Sequence, residues 1–210
     1  KCVSQADRVL LIADDGSPPD LTKIEEALFS RNVEAVLAEQ ELILLRKSRS
    51  AAPSGTAEWL AVRDVQRHSN IAWNSQHDFS RLARFLAGRA VTLVLGGGGA
   101  RGFAQIGIIR AIREAVLPID AVGGTSIGAI IGALVALGWD DERMLQSCKR
   151  AFVDDQPLDD FTFPLFALLR GEKLGRTLRH YIGDVDIVDL WLPYFCISTN
   201  ISRGRMAAHQ

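Results

Sequence analysis

Four consecutive glycines, Gly96–Gly99, follow directly on the strand-like run Val91-Thr-Leu-Val-Leu95, and Gly102 opens a helical pattern behind them. Phe103, Ile106, Ile109, Ile112 and Val116 fall near one face of that helix, which Pro118 ends. A second short strand, Ile119–Gly124, follows, and then an Ala- and Gly-rich helix over Ile127–Leu137. Strand, glycine loop, helix, strand and helix in this order commit the chain to an α/β arrangement with a mainly parallel sheet. The glycines allow several backbone N–H groups to face one point, and a helix N-terminus adds partial positive charge there. Such a loop suits an anion, and a phosphate and a transient oxyanion fit it equally well.

The rest of the chain has the same alternating character. Arg8–Ala13 and Glu41–Arg46 read as buried strands. A helix capped by Asp20 is expected through about Ser30, a short amphipathic segment over Ala57–Val62, and a helix over Phe79–Gly88 with Gly88 as its stop. The polar stretch with His68, Asn70, Asn74 and His77 leads into that last helix and carries no strand signal. Asp140 caps a helix through Phe152, a further helix covers Leu174–Tyr181, and a last strand covers Tyr194–Ser198. Residues 1–88 thus form a small α/β extension, and residues 89–210 form the start of the glycine-loop domain.

Gly124-Thr-Ser126-Ile-Gly128 is a G-x-S-x-G between a strand and a helix, the setting of a nucleophile elbow. Gly124 and Gly128 flank the serine because the chain turns sharply there, and the turn lifts Ser126 Oγ to the sheet's carboxyl edge. Gly97-x-Gly99-x-x-Gly102 also matches the dinucleotide fingerprint, with Asp120 near the expected distance for a ribose-binding acid. Asp120, however, precedes its strand, whereas the ribose acid belongs at a strand's tip. The Gly128-x-x-x-Gly132 pair reads as close helix–sheet packing.

Gly-Gly-Gly-x-Arg-Gly followed by Gly-Thr-Ser-x-Gly resembles the patatin-like phospholipase family, over Arg89 to at least Ser198. Leu82–Ala90, Asp189-Leu-Trp-Leu-Pro and Cys196-Ile-Ser-Thr-Asn200 are similar to its neuropathy-target-esterase branch. The resemblance implies a three-layer patatin-like core preceded by an α/β segment, and cyclic-nucleotide-binding-like domains elsewhere in the full-length chain. It implies a serine esterase of phospholipids or lysophospholipids that works with a Ser-Asp dyad and no cofactor. The dyad serine maps to Ser126, and the oxyanion hole maps to Gly97, Gly98 and Gly99, with Arg101 as the loop's basic residue. The dyad aspartate belongs to a downstream Asp-Gly-Gly or Asp-Gly-Ala. The stretch contains one Asp-Gly, Asp15-Gly16, upstream in a turn. A non-catalytic patatin-like domain used for regulation or membrane contact is the alternative reading.

Composition narrows the partners. With 24 Lys+Arg against 25 Asp+Glu and 48% apolar residues, the chain is globular and lacks the basic footprint of a nucleic-acid binder. Cys2, Cys148 and Cys196 form no metal-ligand spacing and suit a reducing compartment, with Cys148 read as a small core residue. The longest apolar run, Ile127–Leu137, is shorter than the roughly 18 residues a membrane span needs. Lys1–Asp7 does not read as a signal peptide. A cytoplasmic or peripherally membrane-associated protein is expected. Phe161–Leu169 reads as core packing first, and as an acyl channel or membrane-facing lip second. His68 and His77 are expected to cap or bridge loops, with His180 and His209 in no catalytic position. Asp184, Asp186 and Asp189 are expected in a solvated or helix-capping role. A start at Lys1 and an end at Gln210, just after a strand, read as a piece of a longer polypeptide. That piece should fold yet be nearly inert as an esterase.

Overall fold

The computed structural model describes residues 5–29, 38–154 and 172–210. They group into two compact units, Lys1–Ala90 with Val188–Pro193, and Val91–Ile187 with Tyr194–Gln210. Phe161–Leu169 lies outside the described residues.

The first unit contains β1 (Arg8–Asp14), α1 (Lys23–Phe29), β2 (Glu39–Arg46), α2 (Thr56–Ala61), β3 (Arg67–Ala72) and α3 (Gln76–Leu86). Its sheet runs β1-β2-β3, all parallel, so each crossover needs an intervening helix. β2 is central and carries the buried Leu42, Ile43 and Leu44. Trp59 of α2 packs on Leu42 and Leu44, with Leu11 and Val65 at the margin.

Two expectations fail here. Thr22, not Asp20, caps α1: Glu25 N–H donates to Thr22 Oγ1 at 3.3 Å, and Thr22 N–H donates to Glu25 Oε2 at 2.8 Å. This reciprocal pair satisfies two exposed helix-end donors at once. The polar stretch, to which no strand was assigned, begins with one, β3, in which Ser69 and Asn70 are buried. At the end of α3, Gly88 has φ 66 and stops the helix as expected.

The second unit contains β4 (Thr92–Leu95), α4 (Ala104–Glu114), β5 (Ala121–Thr125), α5 (Ile127–Ala136), α6 (Asp141–Lys149), α7 (Glu172–Ile182), β6 (Tyr194–Asn200) and β7 (Arg205–His209). The sheet order is β4-β5-β6-β7, with β7 the one antiparallel neighbour. The chain is therefore α/β with mainly parallel pairing. α5 lies along the sheet with Ile131, Val135 and Ala136 buried. Val122 Cγ1 and Tyr194 Cε2 come within 3.0 and 3.3 Å of where a Gly132 Cβ would stand, the close packing expected there.

Asp140 caps α6, its Oδ1 accepting from Arg143 N–H at 2.7 Å. Cys148 is buried, and burial pushes its thiol up to about 11, as suits a packing residue. The helix expected from Gly102 starts at Ala104, because Gly99–Phe103 winds as a tighter 3₁₀ turn. It ends before Pro118: Leu117 N–H bonds Ile112 O, and Val116 takes the left-handed position with φ 56. The hairpin strand β7 was not anticipated.

Candidate active site

β5 ends at Thr125 and α5 begins at Ile127, so Ser126 alone makes the turn between them. Its φ of 54° and ψ of −131° lie where a residue with a Cβ is strained, at a typical cost of about 1–3 kcal/mol. Gly124, Ile127 and Gly128 are buried around it, whereas Ser126 is exposed. Among the described residues no side chain hydrogen-bonds its Oγ.

The flanking glycines explain how the turn closes. A Cβ on Gly124 would stand 2.5 Å from the Gly128 carbonyl carbon, and one on Gly128 would stand 2.4 Å from Leu95 O. A Cβ on Gly102 would fall 2.3 Å from Ile127 Cγ2. Each of these positions is filled by its neighbour, so the elbow, the end of β4 and the glycine loop interlock through missing side chains.

That interlock brings the loop to the serine. A Cβ on Gly97 would lie 3.2 Å from Ser126 Cβ and 3.9 Å from its Oγ, which places Gly97 directly against the elbow. Gly96, Gly97, Gly98 and Gly99 are exposed, and Gly99 turns with φ 56. Gly98 O accepts from Arg101 N–H at 3.2 Å, and Arg101 itself is exposed. Gln105, the second residue of α4, donates from Nε2 to Gly96 O at 2.7 Å and pins the entry of the loop.

Residues on β6 support the elbow from the other side. Tyr194 O–H donates to Ala129 O in the first turn of α5 at 2.8 Å, and burial raises its pKa. The Phe195 ring fills the space over Gly123, where a Cβ would come within 2.0 Å of it. Gln105, Tyr194 and Phe195 were not singled out from the sequence. Aromatic residues opposite the glycines of a neighbouring strand could have suggested the last two.

Other candidates are placed elsewhere. Asp120 is buried at the amino end of β5 and accepts from Val91 N–H at 2.9 Å, so it ties strands together and does not stand at a strand tip. The acid that dinucleotide binding needs is thus not assembled with this loop. His77 stands 3.8 Å from Asp78 at the start of α3, His180 lies edge-on to Tyr181, and His209 Nε2 meets Ser198 Oγ at 2.7 Å. His68 sits in a strand, not a loop, and bonds Val188 O. Asp184 and Asp186 are exposed, whereas Asp189 is buried and, of its two expected roles, takes the helix-capping one, accepting from the first N–H of α2. Among the described residues no group of three or more His, Cys, Asp or Glu could hold a metal ion. Nor is any described helix long and apolar enough to cross a membrane.

Comparison with known proteins agrees with this geometry. Residues 93–208 match the family described as patatin-like phospholipase, and residues 1–75 match the neuropathy target esterase family P-loop like domain. Patatin-like phospholipase domain-containing protein 7 of Rattus norvegicus is 37% identical, aligned over all of this chain and 18% of the rat protein. Patatin-like phospholipase domain-containing protein 6 of Homo sapiens is 35% identical over all of this chain and 17% of its own length. Neuropathy target esterase sws of Drosophila willistoni is 36% identical over all of this chain and 16% of its own length. The chain thus spans less than a fifth of the length of these curated relatives. With the family match covering more than half of its residues, the chain belongs to the patatin-like phospholipase family, in the branch of neuropathy target esterase.

Proposed function

We propose that the protein to which this chain belongs is a serine hydrolase of carboxylic esters, acting on the acyl chains of phospholipids or lysophospholipids. The observation that carries this reading is the exposed, strained Ser126 with the glycine loop packed against it. Ser126 Oγ forms a bond to the acyl carbonyl carbon and gives its proton to an aspartate of a downstream Asp-Gly-Gly or Asp-Gly-Ala. The carbonyl oxygen takes the negative charge and is held by amides of Gly97–Gly99, where each donor typically lowers the barrier by about 3–4 kcal/mol. Collapse breaks the bond to the glycerol oxygen, which takes up the proton and leaves. Water then attacks the acyl-enzyme, the fatty acid departs, and Ser126 regains its hydrogen.

The relatives' names support the lipid class, and Ser126 is exposed at the carboxyl end of β5. Arg101, exposed in the same loop, is read as its basic residue. The test is Ser126→Ala in the full-length protein. Lysophospholipid turnover should fall by about 10⁴-fold or more while thermal stability is kept. Retained turnover would refute the assignment.

A further inference from the structure

The first unit holds a piece of chain from far downstream. Asp189, Leu190, Trp191 and Leu192 of the Val188–Pro193 strap are all buried, and the strap is grouped with residues 1–90. Asn70 of β3, 1% exposed, grips its backbone. Asn70 Nδ2 donates to Val188 O at 3.1 Å and to Leu190 O at 3.2 Å. Its Oδ1 accepts from Arg46 Nε at 3.0 Å and from Thr56 Oγ1 at 3.4 Å. Both hydrogens and both acceptor sites of the amide are thereby used, which fixes its orientation.

Further ties surround it. His68 Nε2 lies 3.0 Å from Val188 O, and since a carbonyl only accepts, Nε2 carries the hydrogen. Asp189 Oδ1 accepts from Thr56 N–H at 2.9 Å. The Arg49 guanidinium covers the Trp191 ring at 4.8 Å and is itself held by Asp78 at 3.2 Å. Arg46 ends β2, Thr56 opens α2, and Asn70 lies in the second half of β3. This is the carboxyl end of a parallel sheet, where open α/β folds receive ligands. The edge is filled here by two peptide carbonyls, an indole ring and a carboxylate from the same chain. A nucleotide phosphate arriving there would meet the Asp189 carboxylate and an Arg46 already bonded to Asn70, Ser54 O and Thr56.

The strap leads without a break into β6. Tyr194, the residue after Pro193, pairs with Val122 and bonds the first turn of α5, the helix that Ser126 caps. We propose that the first unit is an intramolecular receptor for the Val188–Pro193 strap, with Asn70 as its central positioning residue, and that this grip fixes the start of β6 and through it the Ser126 elbow. The effect on Ser126 rests on the ester-hydrolase reading above, and the grip itself does not.

The experiment uses the full-length protein and two readouts, amide hydrogen exchange over residues 194–197 and steady-state hydrolysis of a phenyl ester. Asn70→Asp keeps the shape but turns an acceptor toward the two strap carbonyls. His68→Leu removes one donor, and His68→Gln restores an N–H in its place. Exchange of the β6 amides should rise about tenfold or more in Asn70→Asp and in His68→Leu, and return toward wild type in His68→Gln. In the same variants kcat should fall about 10- to 100-fold with KM little changed, as expected when a nucleophile is displaced while substrate binding is kept. Should Asn70→Asp fail to fold, the two His68 variants carry the comparison. Unchanged β6 exchange in folded variants overturns the receptor, and raised exchange with unchanged kcat overturns its coupling to Ser126. Micromolar binding of ATP or GTP with loss of strap protection would likewise overturn it. Failure of the hydrolase reading shows separately, as turnover that survives Ser126→Ala, and leaves the exchange result intact.

Discussion

The parallel sheets of the two units finish their carboxyl edges in opposite ways. In the first unit the edge is built from Arg46, Thr56, His68 and Asn70: the last three bond the chain's own strap, and Arg46 is spent on Asn70 and Thr56. In the second the edge is built from Gly96–Gly99, Gly124 and Gly128, and the residue it presents, Ser126, stays exposed, its hydroxyl bonded to no side chain among the described residues. Long polar side chains can saturate one another and close a crevice. Glycines cannot, and what they leave is backbone N–H groups and room. On the readings proposed above, one edge becomes a joint and the other a reaction site, although both begin as parallel strands with helical crossovers.

The largest effects should separate display of the nucleophile from its activation. The 210-residue chain, assayed with a lysophospholipid beside a longer chain that includes the proposed downstream Asp-Gly motif, should be slower by about 10²–10⁴-fold, the usual share of general-base assistance. Equal turnover would place a base within residues 1–210. Next comes Gly98→Val in the full-length protein. A Cβ at Gly98 meets nothing nearer than Arg101 Cβ at 3.8 Å, so the fold should survive, while the branched side chain crowds the oxyanion position. Turnover should drop about 10²–10³-fold with an unchanged melting temperature. Gly128→Ala should instead lower both, because its Cβ would press on Leu95 O and the backbone has nowhere to go. A stability loss of about 1–3 kcal/mol in denaturant titration is expected. If Gly128→Ala were neutral, the interlock between β4 and the elbow would be wrong.

At the closed edge, Asp189→Ala leaves the buried Thr56 N–H without an acceptor, and chemical denaturation of the first unit should show a loss of about 1–3 kcal/mol. Acid should probe the same edge. Burial holds His68 below its ordinary 6.5, so the unfolded chain takes up the proton first. The stability this confers is whole above pH 6.5 and is lost as the pH falls from there through the lowered folded value. His68→Gln should flatten that slope in melts between about pH 7 and about pH 5. A smaller gain tests strain. Val116 carries a β-branched side chain at φ 56 and is exposed, so Val116→Gly should stabilise the end of α4 by about 1 kcal/mol.

The same contrast decides what could be read from the sequence. The open edge was legible because glycines and a serine at fixed spacing are local signals, and the strand and helix on either side have clear periods. The closed edge was not. Arg67-His-Ser-Asn-Ile-Ala carries no strand signal because His68 and Asn70 serve a partner segment more than a hundred residues away, and no local pattern encodes that partner. Asp189 is polar for the same reason, and without Thr56 in view nothing local decides between its solvated and helix-capping roles. Thr22 displaced Asp20 as the cap of α1 only because Glu25 can return the bond, while also meeting Arg63 at 2.7 Å. β7 has a weak alternating pattern, and its pairing with β6 supplies the order that its own residues do not announce.

The most direct test of the open edge is the site of covalent capture. The full-length protein is treated with a fluorophosphonate ester probe, and the adduct is mapped by peptide mass spectrometry. The account predicts a single adduct on Ser126 that blocks lysophospholipid hydrolysis in proportion to labelling and is absent from Ser126→Ala. Loss of hydrolysis with the adduct on another residue, and Ser126 unmodified, would contradict it.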